Sequence, residues 1–313
     1  MASMGITLNI SAVERETGLS KDVLRMWERR YAFPRPARDD NGERQYSVTD
    51  VAKLRAIKRL MDVGMRPGRL IARSLDELNT LADTRVPTRR DAATPALERD
   101  IIALLQNHDV LGLQRALTNM LLSQGVQRFV TDSAAPLNRA VGDAWMRGEL
   151  EVFEEHLYTE QLQTALRAAI NQFPRSGGTP IVLLTTFPGE QHGLGLLMAE
   201  AILAGEGALC ISLGIETPLD EIRRAAVAHK AHLVALSFSA GFPVRQASDG
   251  LALLRRELPS FVTLWAGGEM TRRIRKTLPG VVLIPEIAST VGALQSWRGH
   301  WTHAAPFLGD ATQ

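Results

Sequence analysis

A histidine set among glycines, two residues after a carboxylate, offers the most chemistry in this 313-residue sequence. The stretch reads FPGEQHGLG (187–195) and follows a short apolar run at 181–185. Glu190 can accept a hydrogen bond from the His192 ring, which fixes the tautomer and makes the other ring nitrogen a better metal ligand. Gly193 and Gly195 carry no Cβ, so a bulky group can approach the backbone there. A histidine so placed also suits a capping or structural role. Ser237 ends the third such run with Ser239 just beyond it, and Gly267-Gly268 follow the fourth. Together the three loops offer an imidazole, hydroxyls and bare backbone to a large, partly polar ligand. Taken singly, each is also an ordinary strand-to-helix turn.

A second constellation is cationic. Lys21, Arg25 and Arg29 recur every fourth residue, which places them on one helical face. Beyond them lie Arg35 between prolines, Arg38, a hairpin signal at Asp39-Asp40-Asn41-Gly42, then Arg44 and Tyr46 at alternating positions. Long cations on a helix face reach phosphates and guanine edges in a major groove, and the hairpin makes a basic wing. The plainer alternative is a charged surface that only solubilises. Residues 1–90 hold 18 Lys and Arg against 12 Asp and Glu, a net +6, while the remainder is −4. That asymmetry points the first third at a polyanion.

Trp145, Glu155 and His156 sit on amphipathic helical stretches, where such residues are ordinarily core or surface. No nucleophile and base stand out. Cys210 lies inside an apolar run and reads as a buried thiol, and Asp220, Glu221 and His229 lack metal-ligand spacing. The chain is therefore read as a binding protein and not an enzyme.

The elements that must position these groups follow from the pattern. Apolar residues are 45% and charged residues 22%, the balance of a soluble globular protein. A single cysteine, no signal peptide and no apolar run long enough to span a bilayer lead to an expected cytoplasmic location, with no membrane partner. A helix over 11–17 capped by Ser11, a Gly18-Leu19-Ser20 turn and a helix from Lys21 make a helix-turn-helix; a further helix over 48–63 stops at Gly64. Four helices fit the next apolar period, broken near His108, Gly125 and Gly148. Five short apolar runs (181–185, 208–212, 233–237, 263–266, 281–284) then alternate with helical patterns beginning near His192, Pro218, Pro243 and Thr271. That is a doubly wound parallel sheet, whose ligands sit at the carboxyl ends of the strands. The expected class is multidomain α and α/β: a winged helix-turn-helix (1–83), a linker (84–95), a four-helix bundle (96–175), a Rossmann-like domain (176–300) and a tail (301–313).

Three resemblances follow from these residues. The pattern WERRY-x-FP-x-P-x-R-x₃-G-x-R-x-YS, within about residues 6–79, resembles the winged helix-turn-helix of MerR-type transcription regulators. It implies a dimer on a palindromic double-stranded promoter site, with Arg25, Arg29, Arg35, Arg38, Arg44 and Tyr46 as DNA contacts beside Lys21. The set Glu190, His192, Gly195, then Ser237 and Ser239, then Gly267 and Gly268, resembles the cobalamin-binding fold of corrinoid mutases and methyltransferases. It implies His192 as lower axial cobalt ligand, with the cofactor's nucleotide tail beside the serines and glycines. In that family the acidic residue is more often Asp, and the third residue of the serine motif is apolar; here they are Glu190 and Ser239.

The spacing Trp145-x₉-Glu155-His156 resembles the adenosylcobalamin-binding light sensors of the CarH and LitR group, in the same domain order. It implies that Trp145 covers the upper corrin face and that Glu155 and His156 contact the adenosyl group. It further implies a repressor that holds DNA in the dark and releases it on photolysis, as a homo-oligomer (dimer or tetramer). A histidine follows the tryptophan in well-known members; here Met146 stands there. The alternatives are a light-independent cobalamin sensor, a corrinoid carrier of a methyltransferase or mutase system, and a regulator whose sheet domain binds no ligand. The DNA-reading head argues against the carrier.

Overall fold

A computed structural model describes residues 7–39, 42–62, 64–85, 96–173 and 177–304. Packing divides the chain into two compact units, Met1–Gln106 with Ala140–Glu155, and Asn107–Arg139 with His156–Gln313.

In the first unit, β1 (Thr7–Asn9) leads into α1 (Ile10–Thr17) and α2 (Lys21–Tyr31). The side chain of Asn9 accepts from Ala12 N at 2.9 Å, so α1 begins one residue before the start expected at Ser11, and Asn9 is its cap. Gly18 closes the helix at φ 66°, and Ser20 caps α2 as expected, accepting from Val23 N. The wing is β2 (Ala37–Arg38) antiparallel to β3 (Arg44–Ser47), with β1 on the far side of β3. Asp40 and Asn41 of the expected turn lie outside the described residues. α3 (Val48–Asp62), a 3-10 turn (Pro67–Arg69) and α4 (Leu75–Arg85) complete the module. Its core joins Val13, Leu24, Trp27, Tyr46, Leu54 and Ile57, each at most 1% exposed. α4 runs two residues past the boundary expected at 83, and residues 86–95 of the linker lie outside the description.

Next come α5 (Ala96–Gln106), α6 (Val110–Gln124), α7 (Val126–Arg128), a π-helical turn (Phe129–Ala134), α8 (Ala135–Arg147) and α9 (Val152–Ile170). The breaks fall where expected: His108, Gly125 and Gly148 all have positive φ. The helical stretch is shared between the units, however, since the end of α8 and the following turn belong to the first.

The second unit holds β4 (Ile181–Thr185), α10 (Leu194–Gly205), β5 (Leu209–Ser212), α11 (Leu219–Ala228), β6 (Leu233–Ser237), α12 (Val244–Glu257), β7 (Thr263–Gly267), β8 (Val281–Ile284) and α13 (Thr290–Ala304). All pairings are parallel, in the order β5-β4-β6-β7-β8. Alternate residues feed opposite cores. Leu183, Val234 and Leu264 pack with Ile222, Leu251 and Leu254 on one face. Val182, Leu184 and Trp265 pack with Leu196, Leu203 and Leu294 on the other. Burial on both faces is why these strands read as unbroken apolar runs.

The helix expected from Thr271 is a correction. That segment forms only a 3-10 turn, Glu269–Arg273, and the long helix after β7 comes later, as α13. α13 also takes in the first four residues of the expected tail; 305–313 lie outside the description.

Candidate functional site

The strand order reverses about β4, which has β5 on one side and β6 on the other. Such a switch point opens a crevice at the carboxyl ends. The loop from β4 carries Glu190 and His192, and the loop from β6 begins at Ser237. Two buried threonines hold the first loop. Thr186 Oγ1 donates to Glu190 O at 2.7 Å and accepts from Glu216 N at 2.8 Å. Thr185 Oγ1 donates to Gly214 O at 2.9 Å. Sequence reasoning passed over this pair; polar residues ending an otherwise apolar strand were the available signal.

Glu190 is 1% exposed and fully engaged. Its Oε1 lies 2.7 Å from His192 Nδ1 and accepts from His192 N at 3.0 Å. Its Oε2 accepts from Ser239 N at 2.7 Å and from Ser239 Oγ at 2.8 Å. Burial pushes the Glu190 carboxyl up, but the hydrogen bonds from His192 and Ser239 outweigh it and hold the group below the ordinary carboxylate range. The His192 side chain is 54% exposed. With Nδ1 committed to Glu190, ligation of a metal would come through Nε2.

The glycines let neighbouring backbone close in. A Cβ on Gly195 would stand 2.9 Å from Ser237 Oγ, so the first turn of α10 lies against the end of β6. Gly268, at φ +95°, would place a Cβ 2.2 Å from Phe238 O, which only glycine permits. Added Cβ atoms on Gly193 and Gly267 would meet Ile215 at 3.2 Å and Ile284 O at 3.3 Å.

In the first unit, Arg25, Arg29, Arg35 and Arg38 are exposed. Arg25 lies 3.3 Å from Asp22, and Lys21 3.6 Å from Glu14. Arg44 Nε donates to Glu28 Oε2 at 2.8 Å, tying wing to α2, and this bond raises its pKa. Tyr46, at the alternating position from Arg44, turns inward. It is 0% exposed, because its ring fills the core beside Trp27; its buried hydroxyl has no hydrogen-bond partner among the described residues.

Residues 8–73 match the MerR HTH family regulatory protein, and residues 97–170 and 180–294 match two B12 binding domain families. The HTH-type transcriptional repressor CarH of Myxococcus xanthus is 31% identical over 277 residues, 87% of this chain and 91% of that protein. This chain belongs to the MerR-type transcription regulators that carry B12 binding domains. The repressor CarA of the same organism is 30% identical over 237 residues, 74% of this chain and 77% of that one. The monomethylamine corrinoid protein of Methanosarcina barkeri superposes with a TM-score of 0.52 at 15% identity, over 63% of this chain and 96% of that one, and so shares the fold.

For a cobalamin-binding MerR-type regulator the donor set is apt. Among the described residues no group of three or more His, Cys, Asp or Glu could hold a bare metal ion. One anchored imidazole instead suits a metal that brings its other ligands in a macrocycle. The two departures from the family pattern also match each other: the longer Glu190 reaches Ser239, which answers with two donors. Trp145 and Glu155 are half-buried in the first unit, His156 is exposed in the second, and Met146 is buried at 6% exposure. Among the described residues no helix is long and apolar enough to cross a membrane. Cys210 sits in β5 with its thiol pushed up to about 12 by burial, which suits no nucleophile.

Proposed function

We propose that this regulator is a light-responsive repressor that binds promoter DNA with adenosylcobalamin bound in the dark and lets go on illumination. Bound adenosylcobalamin would supply a cobalt–carbon bond that visible light cleaves. His192 would hold the cobalt, oriented by Glu190 and Ser239. Gly193, Gly195, Ser237, Gly267 and Gly268 would line the path of the nucleotide tail, Trp145 would cover the corrin, and Glu155 and His156 would contact the adenosyl group. Lys21, Arg25, Arg29, Arg35, Arg38 and Arg44 would neutralise phosphates and read base edges, while Tyr46, buried in the core, would hold the wing in place and not touch DNA. The protein would act as a dimer on half-sites related by a two-fold axis, or as a pair of dimers, in the cytoplasm.

The observation that carries this reading is the buried Glu190 carboxylate holding a half-exposed His192 ring at the switch point of the sheet. The test is a visible spectrum of the purified protein with adenosylcobalamin, then gel shifts on its own promoter in darkness and under green light. Uptake of the red cofactor, loss of uptake in His192→Ala and loss of the shifted band on illumination are expected. Protein that stays colourless would sink the reading.

One observation favours a second reading. Met146, buried and a poor ligand for Co(III), stands where the resembling light sensors place a histidine. A regulator that senses cobalamin without light would bind the cofactor and show equal gel shifts in darkness and light.

A further inference from the structure

α3 follows the wing, and Arg55 and Arg59 lie one turn apart on it, on a different element from the cations assigned to DNA. Both reach the turn after α8 within the same compact unit. The Arg59 guanidinium carbon stands 5.8 Å from the centroid of the Trp145 ring. Its Nη1 lies 3.4 Å from where a Cβ on Gly148 would be, and Gly148 is at φ +75°, so the turn comes down on the arginine through a residue with no side chain. Arg55 Nη1 is 4.0 Å from Glu151 Oε2. The Arg59 Nε is buried with no hydrogen-bond partner among the described residues.

A guanidinium over an indole face is attractive, more so when water is excluded. A buried donor without an acceptor works against it. A contact with one strong attraction and one unmet donor is held, yet readily exchanged for another.

We propose that Arg59, backed by Arg55 and Glu151, is a latch that ties Trp145 to the DNA-binding unit when no cofactor is present. Cofactor binding calls on the same ring, so the release of Arg59 carries cofactor occupancy to α3 and the helix-turn-helix. This rests on the reading of Trp145 as a residue facing the cofactor. A ligand shifts a two-state element only through different affinities for the two states, and the coupling is reciprocal. Deleting the guanidinium therefore removes a competitor for the ring. It tightens cofactor binding and makes DNA affinity less dependent on the cofactor.

The experiment titrates full-length wild-type protein, Arg59→Met and Glu151→Gln with adenosylcobalamin in the dark, followed by visible absorbance, and repeats gel shifts with and without cofactor. Arg59→Met keeps the apolar stem. Its Kd for the cofactor should fall about threefold to tenfold, the range of one partly desolvated cation–π contact. The ratio of its DNA affinities with and without cofactor should move toward one. Glu151→Gln, at an exposed position, should give a smaller shift the same way. Unchanged or weaker cofactor binding in Arg59→Met overturns the latch. Should that variant fail to fold, an unchanged Kd in Glu151→Gln overturns it instead. Wild-type protein that takes up no cofactor is a separate failure, of the functional reading, and takes the latch with it.

Discussion

Ser239 shows what one residue adds beyond its motif. The pattern of residue types marks it only as a small polar residue at the mouth of a strand. The structure makes it the double donor that, with His192, satisfies a buried Glu190. Spacing could nominate Glu190 and His192, because two residues of loop suffice to bring them together. It could not nominate Ser239 as their partner, since it lies 49 positions after Glu190 and only strand pairing closes that gap. If the pair is matched, Ser239→Ala and Glu190→Asp should each cost about 1–2 kcal/mol in urea melts, and the double variant about 1 kcal/mol less than their sum. Strict additivity would show that the contact carries no energy. His232 offers a pH test away from this site. Its Nδ1 accepts from Ile181 N at 2.9 Å, while Trp297 and Trp301 meet its ring edge-on. Burial lowers its pKa below the ordinary 6.5. The folded pKa thus lies below the unfolded one, so the stabilisation is complete above about pH 6.5 and is lost as pH falls through the folded value. The Tm should drop between pH 7.5 and 5.5, and His232→Gln should flatten that slope; equal slopes in the two proteins would contradict it.

At the scale of elements, the five strands were readable to within a residue: the inner β4, β6 and β7 are buried on both faces, and the partly exposed edge strands β5 and β8 are short apolar runs as well. The short 3-10 turn after β7 was not, since Arg272, Arg273, Arg275 and Lys276 continue a helical-looking pattern into a segment that instead returns to β8. β1 was missed because three residues carry no period. Two glycines test the same point about conformation. Gly268→Ala meets a carbonyl at 2.2 Å and keeps an unfavourable φ, so it should destabilise by about 1–3 kcal/mol or more. Gly142→Ala in α8 meets nothing within 4 Å and should stabilise by about 0.5–1 kcal/mol. Thermal melts of the two variants should move in opposite directions. On α2 and the wing, Arg29→Ala should reduce the slope of log affinity against log salt by about 1 for a promoter duplex. Arg44→Ala should weaken binding more, because it also strips Glu28 of its counter-charge. An unchanged slope in Arg29→Ala would remove that arginine from the phosphate contacts.

Over the whole molecule, domain order was plain from motifs, and the +6 against −4 split already set the DNA-reading part apart from the rest of the chain. What the sequence concealed is that the end of α8 with Trp145, and the turn after it with Glu151, pack with the DNA-reading unit. Apolar period shows which face of a helix is buried, not which unit buries it. On the latch proposed above this segment is the route for coupling, and coupling between two binding equilibria must be symmetric. If adenosylcobalamin in the dark tightens promoter binding by some factor, the promoter must tighten adenosylcobalamin by that same factor, within about 5–150-fold for ordinary allosteric proteins. Titrating the cofactor by absorbance with and without a promoter duplex measures one arm, and gel shifts measure the other. Raising salt weakens the phosphate contacts most, so the duplex effect on cofactor affinity should fade at the salt concentration where the duplex dissociates. A duplex effect of one at low salt, where DNA is bound, would mean that the two units sense and bind independently, and that the shared segment transmits nothing.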